Sequence, residues 1–313
     1  MGRGKSRRSL ALILAAHKFL AVAHPATVRA CCYKLFTLGL IPSMSKNETA
    51  RVSKQLTDAR EQGLIPWEWI VDETRRLERT PSWDDPAGFV RAVRQSYRRD
   101  FWAQQPVRVE VWSEKGTVRG TLGPVLEEYG VGFRVMHGWS SATTVNDIAT
   151  AQDGRSLIAL YVGDFDPSGM GMSETDLPER LERYGGDHVE VERIALTAID
   201  TAAGTLPSFS VETKQKDPRY RWFRAQYGTQ CWELDALDPR TLRDRVQAAI
   251  VGLIAPEAWA RCERAQEAEQ ASLKTVLDAW TAPGMPDEPD EPGELSEPAL
   301  PARRSVPWQG CPA

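Results

Sequence analysis

The sequence predicts an α/β protein in which a helical, DNA-binding domain precedes a parallel sheet. Three short helical patterns occur before residue 65, and strand and helix patterns then alternate between residues 107 and 196. Residues 1–110 contain 19 Lys and Arg against 11 Asp and Glu, whereas the whole 313-residue chain has a net charge of −4. A basic region next to an acidic one is typical of a nucleic-acid-binding surface beside a second function.

Residues 1–80 are interpreted as a winged helix-turn-helix domain. Its helices are predicted over residues 9–23, from Thr27 to Gly39, and from a capping box at Ser45 and Glu48 to Gly63. An extended segment is expected to follow, containing Trp67, Trp69 and Ile70. We expect the third helix to face DNA through three exposed basic side chains, Arg51, Lys54 and Arg60. Arg29 of the second helix is expected to contact DNA as well.

A connecting helix within residues 81–106, placed at about 86–104, leads into the second domain at residues 107–280. Strands are predicted at 107–112, 132–136, 157–163 and 188–196, with helices at 117–129, 142–150 and 174–184. Such alternation predicts a parallel sheet flanked by helices, followed here by a C-terminal helical extension. The acidic, proline-rich residues 281–313 are predicted to be a disordered tail.

The composition also indicates the cellular compartment of the protein. The five cysteines show no Cys-x-x-Cys pair, and no segment approaches the length of about 20 apolar residues that a membrane span requires. The basic and apolar start of the chain is read as an amphipathic helix and not as a secretion signal, because His17 and Lys18 interrupt the apolar run. We therefore expect a cytoplasmic protein that does not bind membranes.

Three carboxylates lie just beyond predicted strands. Glu114 follows the first strand of the alternating region, and Asp164 and Asp166 follow the apolar strand that ends near residue 163. The carboxyl ends of parallel strands meet at one edge of a sheet, so these acids are expected to be neighbours. Carboxylate oxygens suit Mg²⁺, and the first amides of the helix that follows could hold a phosphate. An Asp-x-Asp pair alone also occurs in calcium loops, phosphatases and glycosyltransferases, or simply on a solvated turn.

The combination of motifs carries a family resemblance. Glu114-Lys115, followed by the run DFDPSG from Asp164 to Gly169, resembles the Toprim motif of topoisomerases and related nucleases. Residues 193–197 and 233–237 resemble segments of the A subunit of type IIB topoisomerase (topoisomerase VI) and of its meiotic double-strand-break relative. The match covers about residues 25–255. It implies a winged helix joined to a Rossmann-like Toprim domain, Mg²⁺ as cofactor, DNA as substrate, a homodimer, and a position for Glu233 near the metal.

Tyr33 is the candidate nucleophile. A helical projection places it on the polar side of the second helix, one turn after Arg29, whose charge is expected to lower the tyrosine pKa. In the resembled family the catalytic tyrosine ends an Arg-x-x-Tyr-Tyr motif, and Tyr33 takes the place of the second tyrosine, with Cys32 in place of the first. Two chains would bring Tyr33 of one to the carboxylates of the other. Tyr33 could instead contact a phosphate without chemistry.

The sequence thus predicts Mg²⁺-dependent DNA cleavage with Tyr33, Arg29, Glu114 and Lys115 as catalytic residues. Since the chain has no ATP-binding glycine-rich segment, strand passage would require a separate GHKL-type ATPase subunit. Two alternatives stay open at this point. One is a hydrolytic nuclease without a covalent intermediate, and the other is a DNA-binding protein whose acids have no catalytic role.

Overall fold

The computed structural model describes residues 7–71, 80–136, 142–151 and 154–280. The predicted tail at 281–313 lies outside the described residues. The described chain is α/β, with a four-stranded parallel sheet and helices on both of its faces. Within the described residues no helix combines the length and the apolar composition needed to cross a membrane.

Three helices form an N-terminal cluster: Arg7–Ala23 (α1), Val28–Thr37 (α2) and Lys46–Glu61 (α3). Their apolar faces share one core, in which Leu20, Leu35 and Leu56 are almost fully buried. Thr27 begins α2 as predicted, because its side-chain oxygen accepts a hydrogen bond from the amide of Ala30 at 3.0 Å. The predicted capping box of α3 is wrong, since the side chain of its N-cap residue makes no capping hydrogen bond.

The segment after α3 differs from its prediction. Trp67–Trp69 form a 3₁₀ turn, and only Ile70, with φ −118° and ψ 122°, is extended. Ile70 makes a parallel bridge with Ala26, which ties the end of this segment to the loop before α2. The expectation of an extended run at 67–70 is therefore wrong for its first three residues. Residues 72–79, which follow, lie outside the described part of the chain.

The parallel sheet confirms the predicted alternation. Its strands, in chain order, are Val107–Ser113 (β1), Gly132–Val135 (β2), Ser156–Val162 (β3) and Val189–Ala195 (β4), and their spatial order is β2-β1-β3-β4. In β3 successive side chains alternate between two cores: Ile158 and Leu160 point to one face, while Leu157 and Tyr161 point to the other. A strand buried on both faces explains the continuous apolar run.

Helices cover both faces of the sheet. The first two that follow the connecting region are Val118–Tyr129 (α5) and Ala142–Thr150 (α6), close to their predictions. After β3 the helical chain begins at Pro167, earlier than the predicted residue 174, and runs through Pro167–Gly171 (α7), a π-helical turn at Met172–Asp176 and Leu177–Arg183 (α8). Asp166 and Pro167 begin this helix together, with a side-chain cap and a fixed φ.

The remaining elements are short until the C-terminal helices. They are Ala198–Ala202 (α9), Phe209–Ser210 (β5), Tyr220–Tyr227 (α10), Gln230–Cys231 (β6), Pro239–Leu253 (α11) and Pro256–Trp280 (α12). Strands β5 and β6 pair antiparallel and are separate from the parallel sheet. Helices α5 and α11 bury their apolar sides against the same core as Ile158 and Leu160.

The chain divides into two compact units. Of the described residues, one unit contains 7–71, 80, 98–136, 142–151 and 154–266, and the other contains 81–97 and 267–280. The second unit pairs Pro86–Ser96 (α4) with the end of α12, where Arg94 Nη1 lies 2.9 Å from Asp278 Oδ1. The predicted connecting helix at about 86–104 is too long, because α4 ends at Ser96 and a 3₁₀ turn follows at Phe101–Gln104.

Candidate functional site

The predicted carboxylates lie at the carboxyl edge of the parallel sheet. Glu114 directly follows β1, and Asp164 comes two residues after β3, which is the neighbour of β1. Asp164 and Asp166 are 6% and 2% exposed, respectively. Two acids buried to this extent require charged or hydrogen-bonding partners, because an isolated buried carboxylate is costly.

A distant segment supplies some of those partners. Phe165 and Trp232 form an antiparallel bridge in which each amide donates to the other carbonyl, at 2.9 and 3.0 Å. This bridge brings residues 233–235 to the sheet edge, where the amide of Leu234 donates to Asp164 Oδ1 at 2.8 Å. Glu233 and Asp235 thereby join the predicted acids. We call Glu114, Asp164, Asp166, Glu233 and Asp235 the carboxylate cluster.

The turn between the two aspartates depends on a close backbone approach. Asp166 Oδ1 accepts a hydrogen bond from the amide of Gly169 at 2.8 Å and so caps α7. A side chain at Gly169 would place its Cβ 2.3 Å from the carbonyl oxygen of Asp164, so only glycine fits. The expectation that the first amides of this helix hold a phosphate is wrong for Gly169, whose amide is already bonded.

Arg193 of β4 binds the backbone of the same turn. Its guanidinium donates to the carbonyl of Asp164 at 2.8 Å and to those of Gly163 and Leu196 at 3.2 Å each. These carbonyls follow the ends of β3 and β4, so one buried side chain fixes the ends of two strands. Burial lowers the pKa of Arg193 from its ordinary value. The resemblance pointed to the segment of Arg193 without assigning this role to it.

Three basic side chains form ion pairs with acids of the carboxylate cluster. Lys115 Nζ lies 2.8 Å from Asp164 Oδ1 and 3.3 Å from Asp235 Oδ2. Lys214 Nζ lies 2.8 Å from Asp166 Oδ2, and the Arg29 guanidinium binds both carboxylate oxygens of Glu233. Although burial disfavours the charged form, Asp164 and Asp235 raise the pKa of Lys115. All three basic groups therefore carry a positive charge at neutral pH.

Glu114 has a strongly perturbed pKa. Burial is the largest cause, and repulsion from Asp164 and Asp166 adds to it, so the pKa of Glu114 is raised to about 7. Burial also raises the pKa of Asp164 despite its contact with Lys115. A carboxyl group that is partly protonated at neutral pH is typical of a site that binds a cation or transfers protons.

Tyr161 is a site residue that the sequence analysis did not single out. It is fully buried in β3, and its hydroxyl has no hydrogen-bond partner among the described residues. The ring packs so closely that a Cβ at Gly163 would lie 3.2 Å from this hydroxyl. The pKa of Tyr161 is raised by burial and then by Glu114, Asp164 and Asp166. Because Tyr161 lies within an apolar strand, the sequence predicts only a core residue at this position, and so the sequence alone did not single it out.

Tyr33 differs from its prediction in two respects. It is 5% exposed and not on an open polar face, although its α2 neighbours Arg29, Lys34 and Thr37 are exposed. Its pKa is raised and not lowered, because burial and the charge of Glu233 outweigh Arg29, which lies 5.8 Å from the ring centre. Both predictions fail because other segments cover this side of α2. Tyr33 nonetheless interacts electrostatically with Lys115 and Asp164 of its own chain.

Long-range contacts place α2 beside the carboxylate cluster. The hydroxyl of Thr27 donates to Asp235 Oδ1 at 2.7 Å, and Arg29, two residues later, pairs with Glu233. Arg243 of α11 donates to the carbonyls of Ala23 and Pro25, at 3.0 Å each, and so holds the loop before α2. The resulting cleft of about 570 Å³ is lined by Thr27, Val28, Arg29, Val71, Lys115, Thr117, Asp164, Glu233 and Asp235.

Of the three basic residues expected on α3 to face DNA, only one is exposed. Lys54 is exposed, whereas Arg51 and Arg60 are half-buried. Arg51 pairs with Glu48, and the guanidinium of Arg60 lies 4.3 Å above the ring of Trp67. The exposure prediction is therefore wrong for both arginines, which pack against α3 itself and against the 3₁₀ turn that follows it.

Comparison with known proteins adds no assignment. No protein-family model matches the chain, and neither a curated protein nor a solved structure matches it at a significant level. Within the described part of the chain, no group of three or more His, Cys, Asp and Glu side chains is positioned to hold a metal ion. In this arrangement Asp164 and Asp166 face lysine ammonium groups.

Proposed function

We propose that this chain cleaves DNA phosphodiesters with a magnesium ion bound at the carboxylate cluster, as its resemblance to the topoisomerase VI A subunit implies. One observation carries the proposal: Glu114, Asp164 and Asp166 converge at one edge of the parallel sheet, and repulsion among them helps raise the pKa of Glu114 to about 7. A bound cation reduces the repulsion among buried carboxylates and so stabilises the fold that holds them.

The donor chemistry fits magnesium, which prefers carboxylate oxygens and keeps several waters. Glu114, Asp164 and Asp166 would hold the ion, and a bound Mg²⁺ stabilises negative charge on phosphate oxygens and on the attacking or leaving oxygen. The basic groups of the cluster would bind the DNA backbone. Lys115, Lys214 and Arg29 each carry a charge that can pair with a phosphate, and the 570 Å³ cleft has room for a phosphodiester.

Tyr33 is the proposed nucleophile in the topoisomerase-like form of this function. It belongs to the same chain and compact unit as the carboxylate cluster, and it lines a second cavity of about 490 Å³ together with Asp235. Attack on phosphorus requires the hydroxyl to lose its proton and to reach the cleft. DNA binding would therefore have to uncover Tyr33. The homodimer and the separate ATPase subunit stay predictions.

A hydrolytic nuclease is the second candidate, and the burial of Tyr33 favours it. With 5% exposure and a raised pKa, this tyrosine is a poor nucleophile in the described conformation. A water molecule would then attack the phosphate, and the carboxylate cluster would be the whole catalytic apparatus. The two candidates share the same acids and differ only in whether a protein-DNA link forms.

A cleavage assay on supercoiled DNA tests the proposal. Wild type should nick or linearise DNA with Mg²⁺ or Mn²⁺ and not with EDTA, and Asp164→Asn should lose at least about 100-fold of the rate. Glu192→Gln, which changes an exposed acid on β4, should cut like wild type. Equal cutting by Asp164→Asn would refute the carboxylate site.

The same assay separates the two candidates. Tyr33→Phe removes one hydroxyl and leaves the buried ring in place. A tyrosine mechanism requires that this variant neither cuts DNA nor retains DNA after rapid denaturation. Normal cutting by Tyr33→Phe, without any protein-linked DNA in wild type, would establish the hydrolytic candidate.

A further inference from the structure

Two lysines occupy the carboxylate oxygens that the proposed function assigns to a metal. Lys214 Nζ is 2.8 Å from Asp166 Oδ2, and Lys115 Nζ is 2.8 Å from Asp164 Oδ1. A divalent cation brought to these oxygens would meet two positive charges at close range. The lysines are therefore competitors of the metal in the described conformation.

The lysine side chains can move away from the cluster, whereas the aspartate side chains are held in place. The side chain of Lys214 is 39% exposed and that of Lys115 is 24% exposed, while Asp166 is 2% exposed. A lysine ammonium group sits on a flexible four-carbon stem, so it can reach a new anionic partner without a movement of the backbone. Asp166, in contrast, is fixed because it caps α7.

A separate observation indicates that the carboxylate cluster is built for a further ligand. The hydroxyl of Tyr161 is buried and has no hydrogen-bond partner among the described residues, and Tyr161 interacts electrostatically with Glu114, with Arg193 and then with Asp164 and Asp166. A buried hydroxyl without a partner is costly, and native proteins rarely keep one. A metal-bound water would provide this hydroxyl with a hydrogen-bond partner.

We propose that Lys115 and Lys214 form a gate that DNA opens: phosphates draw their ammonium groups away from Asp164 and Asp166, and the freed carboxylates then accept the divalent cation. The gate rests on the proposed function, since it assumes that the carboxylate cluster binds a metal and that DNA is the substrate. DNA and metal then bind cooperatively. By linkage, the metal tightens DNA binding by the same factor as DNA tightens metal binding.

The physical advantage is control over when the metal enters. Three basic groups offset three of the five carboxylate charges of the cluster in the absence of DNA, so it attracts free cations less strongly than the carboxylates alone would. When the phosphates of a DNA backbone pair with the basic groups, the carboxylates lose their positively charged partners and can attract a cation. The cluster would thus assemble its metal only where a phosphodiester is already in place.

The test measures Mn²⁺ binding to the full chain from the resonance signal of the free ion, with and without a short DNA duplex, and with the duplex alone as a blank. In wild type the duplex should tighten Mn²⁺ binding by about tenfold or more, a usual size for coupling between two sites. Lys214→Met should tighten DNA-free Mn²⁺ binding by about the same factor and reduce the further gain from DNA. Lys216→Met, which changes an exposed lysine two residues on, should behave like wild type.

The outcomes separate failure of the gate from failure of the proposed function. Equal DNA-free Mn²⁺ affinity in Lys214→Met and Lys216→Met would overturn the gate. So would tight DNA-free binding in wild type that Asp164→Asn abolishes, although that result would leave the proposed metal site standing. If Asp164→Asn binds Mn²⁺ like wild type with DNA present, both proposals fail. Circular dichroism and the urea midpoint of each variant establish that it is folded.

Discussion

The carboxylate cluster and the α2 face that carries Tyr33 lie in the same compact unit, but burial has different consequences for the charge of their side chains at neutral pH. At the cluster, burial and repulsion raise the pKa of Glu114 to about 7, so it changes charge near neutral pH. On α2, burial raises the pKa of Tyr33 and keeps its hydroxyl neutral. The comparison teaches that Glu114 can gain or lose its proton near neutral pH in the described conformation, whereas Tyr33 stays protonated and is covered by other segments.

The pH dependence of stability tests the cluster side of this comparison and should give the largest effect. Between its ordinary pKa of 4.5 and about 7, folded Glu114 keeps a proton that the unfolded chain has lost. Raising the pH through this window should therefore lower the free energy of unfolding by about 3 kcal/mol in EDTA. Urea denaturation at several pH values measures it. Glu114→Gln should remove this loss, and identical pH profiles for the two proteins would contradict the assignment.

Replacing Arg243 tests how α2 is held beside the cluster. Its guanidinium donates to the carbonyls of Ala23, His24 and Pro25 at 3.0–3.1 Å. Arg243→Ala leaves these acceptors without their donor and should lower the free energy of unfolding by about 2 to 3 kcal/mol. Arg240→Ala, at an exposed position on the same helix, should change it by less than about 0.5 kcal/mol. Similar urea midpoints for both variants would show that Arg243 does not fix the loop before α2.

The same two regions show what the sequence could and could not predict. Strand periodicity placed Glu114 and Asp164 at the sheet edge because the residues that determine it are local. The helical projection failed for Tyr33, since it treats α2 alone and a segment some 200 residues later packs on its polar side. The ion pair of Lys214 with Asp166 and the hydrogen bond of Arg243 with Ala23 also join segments that are far apart in the chain. No periodicity encodes such contacts.

Gly169 tests the geometry of the turn at the cluster. A Cβ there would lie 2.3 Å from the carbonyl oxygen of Asp164, so Gly169→Ala must displace α7 or the strand end. We expect a loss of about 2 kcal/mol in thermal or urea unfolding. Gly252→Ala is the matched control, because that glycine lies within α11 and its Cβ would contact nothing within 4 Å. It should stabilise the protein by about 0.5 to 1 kcal/mol, and an equal response at both glycines would refute the close approach.

Removing the hydroxyl of Tyr161 should change the stability least, and it should stabilise the protein. Tyr161→Phe removes a buried group without a partner among the described residues, so stability in EDTA should rise by about 1 kcal/mol. Tyr129→Phe removes a hydroxyl that accepts a hydrogen bond from Gln247 at 3.0 Å and should lose about 1 kcal/mol instead. If the Tyr161 variant loses as much as the Tyr129 variant, its hydroxyl is already bonded within the folded chain.

The central claim is that acids from two separate segments bind one metal beside a third segment, and affinity cleavage by iron tests it most directly. Fe²⁺ takes the place of Mg²⁺ at oxygen ligands, and with ascorbate and peroxide it generates radicals that cut the nearby backbone. With DNA present, mass spectrometry of the fragments should locate cuts next to Glu114, next to Asp164 and Asp166, and near Glu233, all suppressed by excess Mg²⁺. Cuts confined to other segments, or cuts that Asp164→Asn leaves unchanged, would contradict the account.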